Sequence, residues 1–178
     1  MLLQRISVCT FCVLATLAFA PKASLSAAPI DTTAPDPLGP HVRALTPKMK
    51  ELIDLGKRRS ATFKGLIDRL NRSDVVVYLE HTHALPNGLD GRLMFLTSAG
   101  GVRYLHVQVT ASLNVEELIA VAGHELQHAV EVATHTEVRD SASLALLYTQ
   151  IGVRSATKDR YDTTAAQSTG RRVRAELG

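Results

Sequence analysis

The sequence predicts a single domain of the α+β class. Two observations carry this reading. Apolar residues recur at helical spacing in the first and last thirds of the folded region, while three central segments have the β-branched density and alternation of strands. The order is also segregated: two helices, then three strands, then three helices. With 178 residues, the chain is long enough for one domain with a real core.

The first segment stands outside that core. Arg5 gives a positive start, Ile6 to Ala20 is an apolar run too short for a comfortable membrane span, and small residues follow at Ala18-Phe19-Ala20 and Ser26-Ala27-Ala28. This layout predicts a secretory signal peptide over 1–28, hence an exported, periplasmic or secreted protein with no integral membrane segment after cleavage. Residues 29–40, "PIDTTAPDPLGP", read as a Pro-rich linker, and 41–178 as the domain. Cys9 and Cys12 both lie in the leader, so the remainder has neither disulfide nor thiolate, and any metal must use nitrogen and oxygen donors. Removing Arg5 and Lys22 lowers the net charge from +3 to +1. The basic stretches "GKRRS" (56–60) and "GRRVRAEL" (170–177) lack interleaved aromatics and read as solvated helix faces, with no nucleic-acid partner.

In the first helix Thr46 caps, Pro47 takes the opening position, Met49, Leu52, Ile53 and Leu55 form the apolar stripe, and Gly56 marks a break or bend. Phe63, Leu66, Ile67 and Leu70 predict a second helix ending near Asn71. Strands are expected at 74–81, 92–100 and 102–110, with "SAGG" (98–101) as a hairpin turn and 81–91 as a longer loop, giving a three-stranded antiparallel-type sheet. In the third strand Tyr104, His106, Gln108 and Thr110 alternate with Leu105, Val107 and Val109, as on a half-solvated sheet. Asn114 with Glu117 starts a helix that continues through Ala133. Two C-terminal helices follow, one from about Ser141 to Ile151 capped by Asp140 with Gly152 after it, the other near 163–177 capped by Asp162.

Within the third helix, "AGHELQHAVEVATH" (122–135) holds three histidines and two glutamates. His124 and His128 are four residues apart, so they stand one turn apart and about 40° around the axis, where two imidazoles can converge on one cation. Glu125 projects beside that face, placed to take a proton from water. Leu118, Ile119, Val121, Ala122, Leu126, Ala129, Val130 and Val132 surround the motif. A helix that apolar does not carry such groups without partners. The alternative is an amphipathic helix whose polar stripe faces water.

"GHELQHAVE", preceded by a β-hairpin and a helix start, resembles the active-site helix of the zincin metallopeptidases. The resemblance covers roughly residues 92 to 152. It implies Zn²⁺ on His124 and His128, Glu125 as general base, a peptide or protein substrate, and an edge strand that holds extended substrate by backbone pairing; by position that strand would be "RYLHVQVT". The third ligand is where the chain departs from known patterns. The metzincin pattern would want glycine and histidine where Glu131 and Thr134 stand, and His135 is one residue out of register. The gluzincin pattern would want a glutamate about where Leu147 and Tyr148 stand. Of the remaining oxygen donors, Glu131 shares the histidine face but lies some 7.5 Å along the axis from the expected metal level, at about 1.5 Å per residue. It ranks first as ligand, with orientation of His128 as its other role. Glu137 and Asp140 follow closely. His81, His83 and His106 read as surface or packing histidines. Tyr148 and Tyr161 are candidate phenols for a tetrahedral intermediate, Tyr148 reading mainly as core. The expectation is therefore an exported zinc metallopeptidase. The alternative is a non-catalytic zincin-like module that uses the metal for structure or holds a partner at the cell envelope.

Overall fold

A computed structural model describes residues 38–86, 88–154 and 161–178, with side chains left undescribed at 154 and 161. The expected signal peptide (1–28) and residues 29–37 of the linker lie outside the described residues. The elements run β1 (Val42–Ala44), α1 (Pro47–Arg59), α2 (Ala61–Leu70), β2 (Val75–Thr82), β3 (Gly91–Ala99), β4 (Val102–Thr110), α3 (Val115–Thr134), α4 (Ser141–Ile151), β5 (Val153–Arg154), β6 (Tyr161–Asp162) and α5 (Thr164–Leu177). The α+β class expected from sequence is what the chain forms. Among the described residues, no helix is long and apolar enough to cross a membrane.

Local chemistry sets most of the helix ends. Thr46 accepts the Met49 N–H ahead of Pro47, Asn114 accepts the Glu117 N–H, and Asp140 with Ser143 forms a capping box. Two expectations change. α1 runs on through Gly56 to Arg59, because the glycine is a packing site: a Cβ there would lie 2.8 Å from the Phe63 ring. The cap of α5 is Thr163, whose hydroxyl accepts the Ala166 N–H, and not Asp162.

The sheet differs more. It has four strands in the order β1-β2-β4-β3, not three antiparallel ones. The "SAGG" turn does close an antiparallel hairpin between β3 and β4, with Gly100 and Gly101 at φ +58° and +81°, where a side chain would be strained. β2, however, pairs in parallel with β4 on one side and with the short β1 on the other. The edge strand of the hairpin is thus β3, and "RYLHVQVT", expected at the edge, is interior. Thr110 donates its N–H to the Asp90 carbonyl at 2.8 Å, so in this antiparallel register the backbone groups of Gly91 and Leu93 point to the free edge.

Helices cover one face of the sheet. Along β4, Arg103, Leu105, Val107 and Val109 are fully buried, while Tyr104, His106, Gln108 and Thr110 stay half-exposed on the other face. Leu126, Ala129 and Val132 of α3 are equally dry and pack on the sheet with Phe63, Leu66 and Leu70 of α2. Each large side chain so buried contributes roughly 1.5–3 kcal/mol. Arg103 is the exception in this layer. Its guanidinium grips Asp74 through two hydrogen bonds (2.9 and 2.5 Å) and donates to the carbonyls of Val132 and His135 (2.7 Å each). It thereby satisfies end carbonyls of α3, whose own last turn has no basic residue.

Candidate metal centre

α3 presents His124, Glu125 and His128 to a cavity of about 890 Å³ bounded by β3, α4 and α5. Two glycines let α5 settle close on that helix. A Cβ on Gly123 would lie 2.9 Å from Val173, and one on Gly170 would lie 3.2 Å from the His124 Cβ. The chain returning through β6 into α5 carries Asp162 to the histidines. Its Oδ1 is 3.2 Å from His124 Nε2 and 3.6 Å from His128 Nε2. One donor atom from each of His124, His128 and Asp162 falls within 4.8 Å of the other two, so this group could hold a metal ion. Two imidazole nitrogens and a carboxylate oxygen make a set that suits zinc and other first-row divalent ions alike.

The three carboxylates nominated from sequence as third ligand lie elsewhere. Glu131 turns to the far side of His128: its Oε2 is 2.9 Å from Nδ1, and its Oε1 accepts the Thr163 hydroxyl at 2.6 Å. The helical rise keeps it a turn beyond the point where the two Nε2 atoms converge. Glu137 pairs with His135 at 2.8 Å, and Asp140 is spent on the cap of α4. Asp162 escaped sequence reasoning because an aspartate before a helix reads as its cap. The adjacent Thr163 was the available signal, since only one of the two can occupy that position.

Glu125 is buried beside the histidines, against the start of β3. A Cβ added to Gly91 would come within 2.6 Å of its Oε1, so the missing side chain makes room for the carboxylate. Burial pushes the Glu125 carboxyl up to about 7. For His128 burial acts to depress the imidazole, but the carboxylates of Asp162 and Glu131 outweigh it and hold the ring up to about 9. His124, lacking a second carboxylate partner, is lowered by burial and by the His128 charge. Asp162 is held down at about 2: burial opposes this, and the His128 and His124 rings prevail. One buried carboxyl pushed towards neutrality next to one held ionised is a pattern that concentrates at functional sites.

Tyr148 stands edge-on to the His128 ring at 5.1 Å and donates to the His128 carbonyl at 3.3 Å, so its phenol is engaged with α3. The side chain of Tyr161, the other phenol considered, lies outside the described ones. His81 meets Thr46 at 3.4 Å and His106 lies 3.0 Å from Glu80, both away from the cavity. His83 is not among the residues lining it.

Comparison of the chain with protein-family models, with curated proteins and with solved structures gives no match.

Proposed function

We propose that this chain is a zincin-like metal-dependent peptide hydrolase, in which His124, His128 and Asp162 hold Zn²⁺ and Glu125 is the general base. The observation that carries the reading is the union of an HExxH helix with a carboxylate from a distant segment, at the mouth of a cleft. Zinc held there would supply Lewis acidity, polarising a carbonyl and making water easier to deprotonate. The other roles belong to the chain. Glu125, its proton affinity raised by burial, accepts a proton from water and passes it to the leaving amine. Glu131 fixes the His128 ring through Nδ1 and leaves Nε2 for the cleft. The outward backbone groups of Gly91 and Leu93 give an extended peptide an edge to pair with beside Glu125.

A non-catalytic zinc module is the rival. A structural zinc site is closed by four protein ligands. Among the described residues the donor group has three members, and Glu125 is not one of them, which favours catalysis. Export of the protein is part of the proposal and rests on the leader composition alone.

The test pairs metal content with turnover. Purified protein should take up one zinc per chain and cleave members of a peptide library. Glu125→Gln should keep the metal and lose the cleavage. Zinc uptake without turnover in any library would leave the structural module; no stoichiometric metal after zinc addition would sink both readings.

A further inference from the structure

The two ends of the cleft differ in chemistry, and α3 gives the axis along which to compare them. α5 runs antiparallel to α3: Thr163 meets Glu131, Gly170 meets His124, and Arg174 approaches Glu117 at 4.0 Å. Arg171 and Arg174, both exposed and both lining the cavity, therefore lie beyond His124, towards the start of α3. The opposite end is built by α4, where Leu144, Ala145 and Tyr148 join Leu93 beside His128.

The arginines are weakly committed. Arg171 donates to Ser168 Oγ at 3.3 Å, and among the described residues no ion pair engages it. Among the described residues Arg174 pairs with Glu117 alone, at the limit of an ion pair. Asp90 across the cleft and Glu117 beside Arg174 balance the two formal charges, so what this end offers is a pair of exposed guanidinium groups, of which Arg171 is the less engaged. Guanidinium groups three residues apart on a helix share a face and suit a carboxylate that enters from solvent.

Strand direction adds a polarity. β3 runs from the arginine end, where Gly91 meets Glu125, to the apolar end, where Ser98 bonds the Arg139 carbonyl just before α4. An extended peptide pairing antiparallel with β3, the slightly stronger mode, has its N-terminal half at α4 and its C-terminal half at α5.

We propose that Arg171 and Arg174 form a carboxylate-recognition subsite on the C-terminal side of the scissile bond, opposite an apolar subsite under α4. The substrate class is then peptides with apolar residues before the cleaved bond and a carboxylate after it, supplied by an acidic side chain or by the peptide's own C-terminus. This rests on the hydrolase reading above, and its test is chosen to fail separately.

Binding is measured by calorimetry on full-length Glu125→Gln protein, with and without zinc. The probes are acetyl-Ala-Leu-Leu-Ala-Asp amide, its Asn and Lys counterparts, and acetyl-Ala-Leu-Leu-Ala-Ala as free acid and as amide. A carboxylate should lower Kd by about tenfold over its neutral counterpart, as charge-assisted bonds to guanidinium do, and the gain should vanish when R171A and R174A are combined. A gain confined to the free acid names the terminal carboxylate as the source; a gain with Asp names the side chain. Both substitutions are at exposed positions, and circular dichroism checks that the fold is kept. Equal Kd values, no binding by any probe, a preference for Lys, or a gain that survives the double variant would overturn the subsite. A gain only with a further probe, acetyl-Asp-Leu-Leu-Ala-Ala amide, which carries Asp ahead of the Leu-Leu pair, would overturn its polarity. Carboxylate preference in a protein whose parent cleaves nothing would instead leave the subsite standing and remove the hydrolase.

Discussion

The Glu131 carboxylate lies 2.9 Å from the Nδ1 of His128, on the opposite side of the ring from the nitrogen that approaches Asp162. On the proposed reading that placement gives the two acids different roles, Asp162 holding the metal and Glu131 orienting His128. Glu131→Gln should keep a metal bound but weaken it by about 10–100-fold, the usual cost of losing a group that orients a histidine ligand. Asp162→Ala should cost more. Competition against a chromophoric chelator measures both, and the reverse ranking would restore Glu131 as the ligand.

Gly91 sets a second expectation. A methyl group there collides with the flexible end of Glu125 and with Val121 Cγ1 (2.8 Å), so the carboxylate is the part that can move aside. Gly91→Ala should leave zinc content and fold intact while kcat falls on the order of 10²-fold, the scale of an ångström-sized misplacement. Full activity with Ala at 91 would mean that Glu125 does not work from the position it occupies here.

Arg103 is the dry centre of the polar clamp on the end of α3. Among the described residues, Arg103→Leu leaves Asp74 with only the more distant Arg139 (3.7 Å) and the carbonyls of Val132 and His135 with only their backbone donors, and should lower stability by about 3 kcal/mol in urea titration. A loss below about 1 kcal/mol would show that water replaces the guanidinium there.

The same pair fixes an acid limb. Burial acts to raise the Asp74 carboxyl, and the Arg103 guanidinium more than reverses this, so it titrates below its ordinary 3.8. A carboxylate depressed in the folded state adds stability in full above its unfolded pKa and loses it as pH falls through the folded one. The stability gap between the parent and Asp74→Asn should therefore be constant above about pH 5 and narrow below about pH 4. A gap that is flat down to pH 2 would mean that the pair contributes nothing through charge.

How much of this was legible in the residues depended on range. The HExxH spacing, the caps at Thr46, Asn114 and Asp140 and the β3–β4 turn each rest on chemistry within a few positions, and each stands where the sequence put it. β1 did not announce itself, because "VRA" gains strand character only from pairing with Val77 to Leu79, more than thirty residues on. The parallel pairing of β2 with β4 was hidden for the same reason, since period-two patterning marks a buried face and says nothing of neighbours or direction. Asp162 is the sharpest case. In "RYDTT" Thr163 could have freed it from the cap, but no local pattern points it at two imidazoles, and the packing of α5 through Gly123 and Gly170 delivers it.

That delivery has a temporal side. Both histidines emerge from the ribosome 34 or more residues before Asp162, and the three donors meet only once α5 has docked on α3. A nascent chain that has made α3 but not α5 holds two ligands of the group and no closed α5 wall to the cleft. On the proposed reading, metal binding therefore waits for α5 to dock, and the cleft gains its third donor and its α5 wall together.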